Sequence, residues 1–266
     1  MSSDALWQLG PETLVALAAV VVYVAGAFAA PRAAWSWVGL AGLGAAALCL
    51  ASTAPQAAEP LRIDALALWL RWFALASGAL LILTSWRPAA DADGAELLGS
   101  LLLIIAGMML VAAAGDLVLL FLGLELISIP TYIVLFVGRR TSEGREAAVK
   151  YFYLSILASA ILLFGLSFLY GAAGTTSIEA IHQRLLDGGG SLGRFAVLAL
   201  VFIFAGLSYK IAAVPFHFYA PDVYQGTTND GAALLSVAPK AAARRADRTH
   251  RARPQPRAAS GSFILP

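Results

Sequence analysis

Charged side chains are scarce in this sequence. Asp, Glu, Lys and Arg make up only 13% of its 266 residues, while 60% of the residues are hydrophobic. A soluble domain normally carries about 25% charged residues. So little charge cannot cover an apolar core of this size with a polar surface. The composition therefore excludes an ordinary soluble domain and indicates a chain that folds in a lipid bilayer.

Cysteine is rarer still, since Cys49 is the only one in the chain. A single thiol cannot form a disulfide within the chain, and an iron–sulfur cluster is generally held by four thiolates. The sequence therefore predicts no redox cofactor and no metal site on this chain.

Long apolar runs, in contrast, fill most of the sequence. A bilayer core takes about 17–25 helical residues to cross, and seven stretches qualify, at 13–30, 33–51, 65–86, 97–114, 117–137, 147–170 and 195–214. An eighth begins at 232–243, and the longest connector, 171–193, predicts a short surface helix. The predicted fold is an all-α bundle of membrane-spanning helices.

Basic residues in the connectors predict the orientation, because cytoplasmic loops carry an excess of Lys and Arg. With the N-terminus outside, the outer loops hold Arg62, Arg184 and Arg194, whereas the inner loops hold Arg32, Arg87, Arg139, Arg140 and Arg145. This bias, together with the acidic N-terminus, favours an outside N-terminus.

Composition divides the chain at residue 243: an apolar part, 1–243, is followed by an Arg- and Pro-rich last part, 244–266. The last part has no apolar periodicity, which is typical of disorder. It alone makes the chain basic, because residues 1–243 hold twelve basic and fifteen acidic residues. The positive net charge therefore predicts no nucleic-acid partner.

Lysine occurs only three times, as Lys150, Lys210 and Lys240, and each lies in or beside an apolar helical run. A charge at the centre of such a helix costs about 2.5–3.5 kcal/mol on insertion scales, so these groups usually face a bundle interior. Lysine can exchange a proton when desolvated, which arginine cannot. The pattern indicates proton carriers; the alternative for Lys150 and Lys210 is an ammonium that reaches the headgroups from a helix end.

Glu125 is the most deeply placed acidic group, at the ninth position of the run 117–137. Ser128 and Thr131 follow on the same helix, and Pro130 leaves a backbone carbonyl without its helical donor. A carboxylate at this depth needs a cationic partner. We expect that partner to be Lys150 on the next helix, in a pair whose alternative role is purely structural.

Pro215 predicts a break in the seventh run, between Lys210 and His217. Broken helices at membrane depth recur at the ion sites of transporters, and a histidine can relay protons near neutral pH; an interfacial histidine is the alternative. Asp222 and Tyr224 are expected as loop residues at the inner surface. Arg71, inside the third run, is expected to meet a headgroup or a partner subunit.

Four segments carry a family resemblance: 124–132 (LELISIPTY), 146–152 (EAAVKYF), 210–217 (KIAAVPFH) and 220–226 (APDVYQG). Together they closely resemble the subunit N family of NADH-quinone oxidoreductase, the antiporter-like proton-pumping subunits of bacterial respiratory complex I. The likeness runs from about residue 10 to Ala242. Subunits of multisubunit sodium/proton antiporters share the glutamate and lysines but match the flanking residues less well.

The resemblance implies an antiporter-like bundle of about fourteen spans in two inverted repeats, each with a broken helix. It places helices one to three in residues 1–96 and the first repeat, helices four to eight with the last incomplete, in residues 97–243. It assigns proton pumping to Glu125, Lys150, Lys210 and Lys240, with His217 as a relay. Glu125 would pair with Lys150, and Lys210 and Lys240 would pass the proton along the middle of the membrane.

The resemblance also implies the setting: a multi-pass protein of the bacterial inner membrane that assembles with the other membrane subunits of complex I and moves protons. NADH, FMN, iron–sulfur clusters and quinone are expected on partner subunits, and no cofactor on this chain.

Two departures from the family pattern affect these expectations. Residues 226–231 (GTTNDG) replace a loop that usually contains Ala-Pro-Thr-Pro, and the pattern stops after Ala242, before the second repeat. We therefore expect a truncated copy that cannot move protons by itself. The alternatives are a subunit of a cation/proton antiporter and an inert remnant.

Overall fold

The computed structural model describes residues 7–28, 32–53, 56–58, 60–84, 94–138, 141–187 and 193–226, with residues 232 and 236. Lys240 and the Arg-rich segment lie outside these residues. The helices are α1 (Gly10–Phe28), α2 (Arg32–Ala51), α3 (Ala65–Thr84), α4 (Gly94–Ala113), α5 (Leu117–Gly138), α6 (Ser142–Ala173), α7 (Ile178–Asp187), α8 (Gly193–Lys210) and α9 (Ala220–Gly226). The strands are β1 (Gln56–Ala58) and β2 (Leu61–Ile63).

Six helices in this part of the chain, α1 to α6, are long and apolar enough to cross a membrane. The predicted all-α membrane bundle is confirmed. The seventh run does not continue to residue 214 as predicted: its helix ends at Lys210, and its apolar part, Phe195–Lys210, is shorter than the other six. The helical conformation is disfavoured for the residue before a proline, which here is Val214. Helix α8 ends four residues earlier, at Lys210.

Helix α4 is the central helix in the packing of α1 to α5. It is buried along most of its length, for example at Leu102, Ile104 and Met109, and it packs against α1, α3 and α5. Helix α1, in contrast, buries Val15 and Val22 on one side and exposes apolar side chains on the other. Such exposed apolar faces are expected where lipid is the solvent.

Helix α6 is longer than the predicted stretch 147–170. It starts after Thr141, whose side chain caps the helix by accepting the Gly144 N–H at 3.1 Å, and it ends before Gly174, which has a φ of 63°. Its 32 residues extend over about 48 Å, more than the roughly 30 Å of a bilayer core. One end of α6 therefore extends beyond the apolar layer. We call the end where α6 begins the inner end of the bundle, following the predicted orientation.

The opposite, outer end contains a hairpin where the sequence predicts only a connector. Strands β1 and β2 pair antiparallel, and Leu61 bridges to Ala114 at the start of the α4–α5 turn. Arg62 forms an ion pair with Glu179 of α7 at 3.0 Å. Helix α7 confirms the predicted surface helix.

Arg71 has a different environment from the one expected. Its side chain is fully buried, and its Nη2 donates to Glu12 Oε2 at 2.6 Å and to the Gln8 carbonyl at 2.7 Å. The expected headgroup or partner-subunit contact is wrong, because the guanidinium is enclosed within the chain and pairs with a carboxylate of α1. Both charges are rare in an apolar bundle, and each needs the other.

We expect Arg71→Ala to lower the free energy of unfolding in detergent by about 3–5 kcal/mol, because Glu12 would stay buried without its cation. Arg62→Ala is the matched control: its exposed pair with Glu179 should be worth about 0–1 kcal/mol. Unfolding curves of both purified variants against SDS check this. Equal losses would contradict it.

Candidate functional site

A buried cluster of four polar side chains joins three helices in the second part of the bundle. Lys210, the last residue of α8, directs its Nζ to Ser128 Oγ of α5 at 2.7 Å. The same Nζ lies 3.3 Å from Glu125 Oε1 of α5 and 3.3 Å from Ser159 Oγ of α6. Ser159 Oγ donates to Glu125 Oε1 at 2.5 Å. The cluster therefore links an ammonium and a carboxylate directly and through one hydroxyl.

Burial makes this pairing necessary. The Lys210 side chain is 5% exposed and that of Glu125 is 20% exposed. Removing either charge from water is costly, and mutual attraction offsets that cost only when further hydrogen bonds complete the pair. Ser128 and Ser159 supply those bonds.

Helix α5 is adapted to carry the hydroxyls. Ser128 Oγ donates to the Leu124 carbonyl at 2.9 Å, and Thr131 Oγ1 donates to the Ile127 carbonyl at 2.7 Å. These bonds use the hydroxyl protons, so the Ser128 oxygen is left to accept from Lys210. Pro130 lies inside the helix without ending it.

The end of α8 places the ammonium. Ala212 has a φ of 53°, and the Ala213 N–H bonds back to the Ser208 carbonyl at 2.8 Å, so the chain turns away directly after Lys210. The predicted break before Pro215 is confirmed. A cation in the last turn of a helix is also favoured by the helix dipole.

A buried tyrosine fastens the turn that follows the break. Tyr219 Oη donates to the Tyr209 carbonyl at 2.8 Å, and the two rings stack at 4.4 Å. Burial raises the pKa of the Tyr219 phenol well above its ordinary value. Its hydroxyl therefore stays a neutral donor, and the turn is held at any physiological pH.

Glycine allows α8 to approach α6 closely enough for these contacts. A Cβ at Gly206 would lie 2.7 Å from Leu162 Cβ and 2.9 Å from the Ala158 carbonyl oxygen. Gly206 is one turn before Lys210, and Ala158 precedes Ser159. The close approach of the helices at Gly206 therefore sets the distance between the ammonium and the Ser159 hydroxyl.

Lys150 does not join this cluster, so the predicted Glu125–Lys150 pair is wrong. Its Nζ pairs with Glu146 Oε1 at 2.8 Å and with Asp222 Oδ2 at 3.0 Å, and its side chain is 47% exposed. Depth along α6 is the reason. Ser159, which contacts Glu125, lies nine residues after Lys150, or about 13.5 Å along the helix axis.

The partners of Lys150 line a pocket at the inner end. Its volume is about 370 Å³, and its walls are formed by α6 and α9, through Glu143, Glu146, Ala147, Lys150, Asp222, Gln225 and Gly226. Asp222 was expected in a loop, but it lies in the first turn of α9. Gly226 contacts α6 so closely that a Cβ there would lie 2.5 Å from Ala147 Cβ.

The remaining predicted site residues are not part of the cluster. His217 is exposed in the turn after the break, and within the described residues no hydrogen bond joins it to Lys210 or Glu125. Its relay role stays a prediction, as does that of Lys240, which lies outside the described residues. In the described part of the chain, no three His, Cys, Asp or Glu side chains are grouped as metal ligands would be.

Sequence reasoning did not identify Ser159 as a site residue. A signal was present: Ser155 and Ser159 interrupt the apolar sequence of α6 at a spacing of four residues, which places both on one face. Glu125 on the neighbouring helix needed such hydroxyls.

Six membrane-length helices and a buried charge pair at the end of a seventh, shorter one define a multi-pass membrane protein with an ionisable site in its interior. Residues 114–250, just over half of the chain, match the family described as "NADH:quinone oxidoreductase/Mrp antiporter, TM". The chain belongs to this family.

Three relatives make the similarity more specific. The chain is 33% identical over 251 residues to NADH-quinone oxidoreductase subunit N of Rubrobacter xylanophilus, covering 91% of this chain and 52% of the relative. It is 39% identical over 252 residues to NAD(P)H-quinone oxidoreductase subunit 2 of Synechococcus sp., covering 91% and 47%. A chain of respiratory complex I from Thermus thermophilus with bound aureothin superimposes with a TM-score of 0.76 at 30% identity, covering 90% and 52%. The chain spans about half the length of these relatives.

We expect Gly206→Ala to destabilise the protein, because the added methyl group would push α8 away from Leu162 and separate Lys210 from Ser159. Gly171→Ala on α6 is the matched control, since a Cβ there has open space around it. In an exposed helix position alanine is favoured over glycine by about 0.5–1 kcal/mol. Thermal unfolding in detergent should therefore show a lower midpoint for Gly206→Ala and an equal or higher one for Gly171→Ala. A midpoint for Gly206→Ala at or above the wild-type value would contradict this account of the helix contact.

Proposed function

We propose that this chain is an antiporter-like membrane subunit of a proton-translocating NADH:quinone oxidoreductase and that Glu125 and Lys210 exchange protons within it. One observation carries the proposal. Lys210, at the end of α8, lies 3.3 Å from Glu125 inside an apolar bundle, and both groups contact the Ser159 hydroxyl. Intramembrane ionisable groups of this kind mark ion and proton pathways.

The geometry allows a balanced exchange. A proton that arrives on Glu125 Oε1 neutralises the carboxylate, so the Lys210 ammonium loses its counter-charge and releases one proton to the next group. Ser159 Oγ contacts both Oε1 and Nζ. It can therefore accept the proton of Glu125 while giving its own to the lysine, which restores the starting charges.

The setting is part of the same proposal. The protein would lie in the bacterial inner membrane beside the other membrane subunits of the complex. NADH oxidation, with its FMN and iron–sulfur clusters, and quinone reduction would take place on partner subunits. Identities of 33% and 39% to subunits named for quinone oxidoreductases support this assignment over a cation/proton antiporter.

We expect Glu125 and Lys210 to act as one unit. In inverted membrane vesicles that hold the chain assembled with its partners, Glu125→Gln and Lys210→Ala should each slow NADH-driven proton uptake. The double variant should be no slower than the slower single one, because the two groups share one proton exchange. Lys150→Ala is the matched control, and its effect should add to that of Glu125→Gln. If the losses of uptake rate in the Glu125 and Lys210 single variants added up in the double variant, the proposed exchange would be contradicted.

Lys210 should be required as a titratable amine and not merely as a cation. Lys210→Arg keeps the positive charge, but a guanidinium does not release its proton. We expect this variant to insert and assemble in normal amounts, as an immunoblot of the membranes would show, and to pump poorly. Pumping at the wild-type rate would favour a structural role for the pair.

A further inference from the structure

One face of α6 connects the inner pocket with the buried charge pair. Ala147, Tyr151, Ser155 and Ser159 follow each other at four-residue intervals, which places them on the same side of the helix. All four are buried. Ala147 lines the pocket and Ser159 contacts Glu125, so this face extends over about 18 Å, from the pocket to the pair.

A hydroxyl pair lies between the two ends of this face. Tyr132 Oη of α5 donates to Ser155 Oγ of α6 at 3.1 Å, and Ser155 is 1% exposed. Tyr132 follows Glu125 by seven residues, so it lies about 10.5 Å nearer the inner end. The pair therefore occupies the depth between the pocket and Glu125.

Packing alone does not require these hydroxyls. Burying a hydroxyl in apolar surroundings costs free energy unless it is hydrogen-bonded, and phenylalanine with alanine would fill the same space without that cost. The Tyr132 ring packs edge-to-face against Tyr151 and Phe152, at centroid distances of 5.8 Å and 5.2 Å. These contacts cover part of the ring, and its hydroxyl bonds to the buried Ser155.

We propose that Tyr132 and Ser155 relay protons from the inner pocket to Ser159 and Glu125. The inference rests on the proposed function, which supplies the need for such a route. Side chains four residues apart on a helix have Cβ atoms about 5–6 Å apart, a distance that one water molecule can bridge. Each hydroxyl accepts one proton on its oxygen and releases another, so one proton enters at the pocket and one arrives at Glu125.

The chain contains a matched control for this relay. Tyr23 Oη and Ser100 Oγ form the same kind of pair between α1 and α4, at 2.5 Å. That pair does not contact Glu125, Lys210 or the inner pocket. It shares the chemistry and the helix-to-helix geometry of the relay but not its position.

The test compares Tyr132→Phe and Ser155→Ala with Tyr23→Phe and Ser100→Ala, in the assembled complex in inverted vesicles. Proton uptake is divided by the amount of assembled protein, so that poor folding does not count as slow transfer. We expect the first two variants to slow uptake about tenfold, less than the 10²–10⁴ typical of a general acid–base group, because water can partly replace a hydroxyl. The control variants should keep the wild-type rate.

Two further variants test whether the hydroxyls act in one route. Combining Tyr132→Phe with Ser155→Ala should add no further loss, and Ser155→Thr, which keeps the hydroxyl, should be faster than Ser155→Ala.

The outcomes separate this inference from the function on which it rests. Wild-type rates for Tyr132→Phe and Ser155→Ala, with slow uptake for Glu125→Gln, would overturn the relay and leave the proposed function intact. Wild-type uptake by Glu125→Gln would overturn the function itself. Equal slowing by the relay and control variants would show that only packing had been disturbed and would also overturn the relay. A larger solvent deuterium isotope effect in the relay variants than in the controls would support it, because a packing defect does not make proton transfer rate-limiting.

Discussion

The contact between Lys210 and Glu125 constrains the architecture of the second part of this protein. A buried ammonium has three protons to donate, and an apolar helix offers no acceptors for them. The structure supplies acceptors from two other helices, the Glu125 carboxylate and Ser128 of α5 and Ser159 of α6. The close approach of α8 to α6 at Gly206 brings these groups together, at the residue where α8 ends.

The protein has a second buried ion pair, and comparing the two clarifies what each can do. Arg71 and Glu12 join α3 to α1 with a short contact of 2.6 Å, whereas Lys210 and Glu125 are 3.3 Å apart and share hydroxyls. A guanidinium keeps its proton under all physiological conditions, so the arginine pair can only hold helices together. A lysine can release its proton, and the hydroxyls beside it provide places for that proton to go. The residue type thus separates a pair that can only be structural from one whose chemistry permits the proposed exchange.

Sequence alone predicts the features that depend on composition along one helix. The apolar runs locate α1 to α6, Pro215 locates the end of α8 within a few residues, and the depth of Glu125 in its run predicts that it needs a partner. Sequence does not show which residue is the partner of Glu125, because that depends on the relative depth at which two helices pack. Lys150 is on the next helix in sequence but lies too near the start of α6. Lys210, much further along the chain, is at the depth of Glu125.

The same limit explains the other differences. Arg71 and Glu12 are separated in sequence by helix α2 and the hairpin, so nothing local indicates their contact. The hairpin of β1 and β2 is too short to leave a periodic pattern, and its bridge from Leu61 to Ala114 is formed between segments that are distant in the chain.

Lys150 and Lys210 look alike in sequence, each at the edge of an apolar run. Their difference arises from helix length: α6 extends beyond the apolar layer and exposes its lysine to the carboxylates of the inner pocket, whereas α8 stops inside the bundle and buries its own.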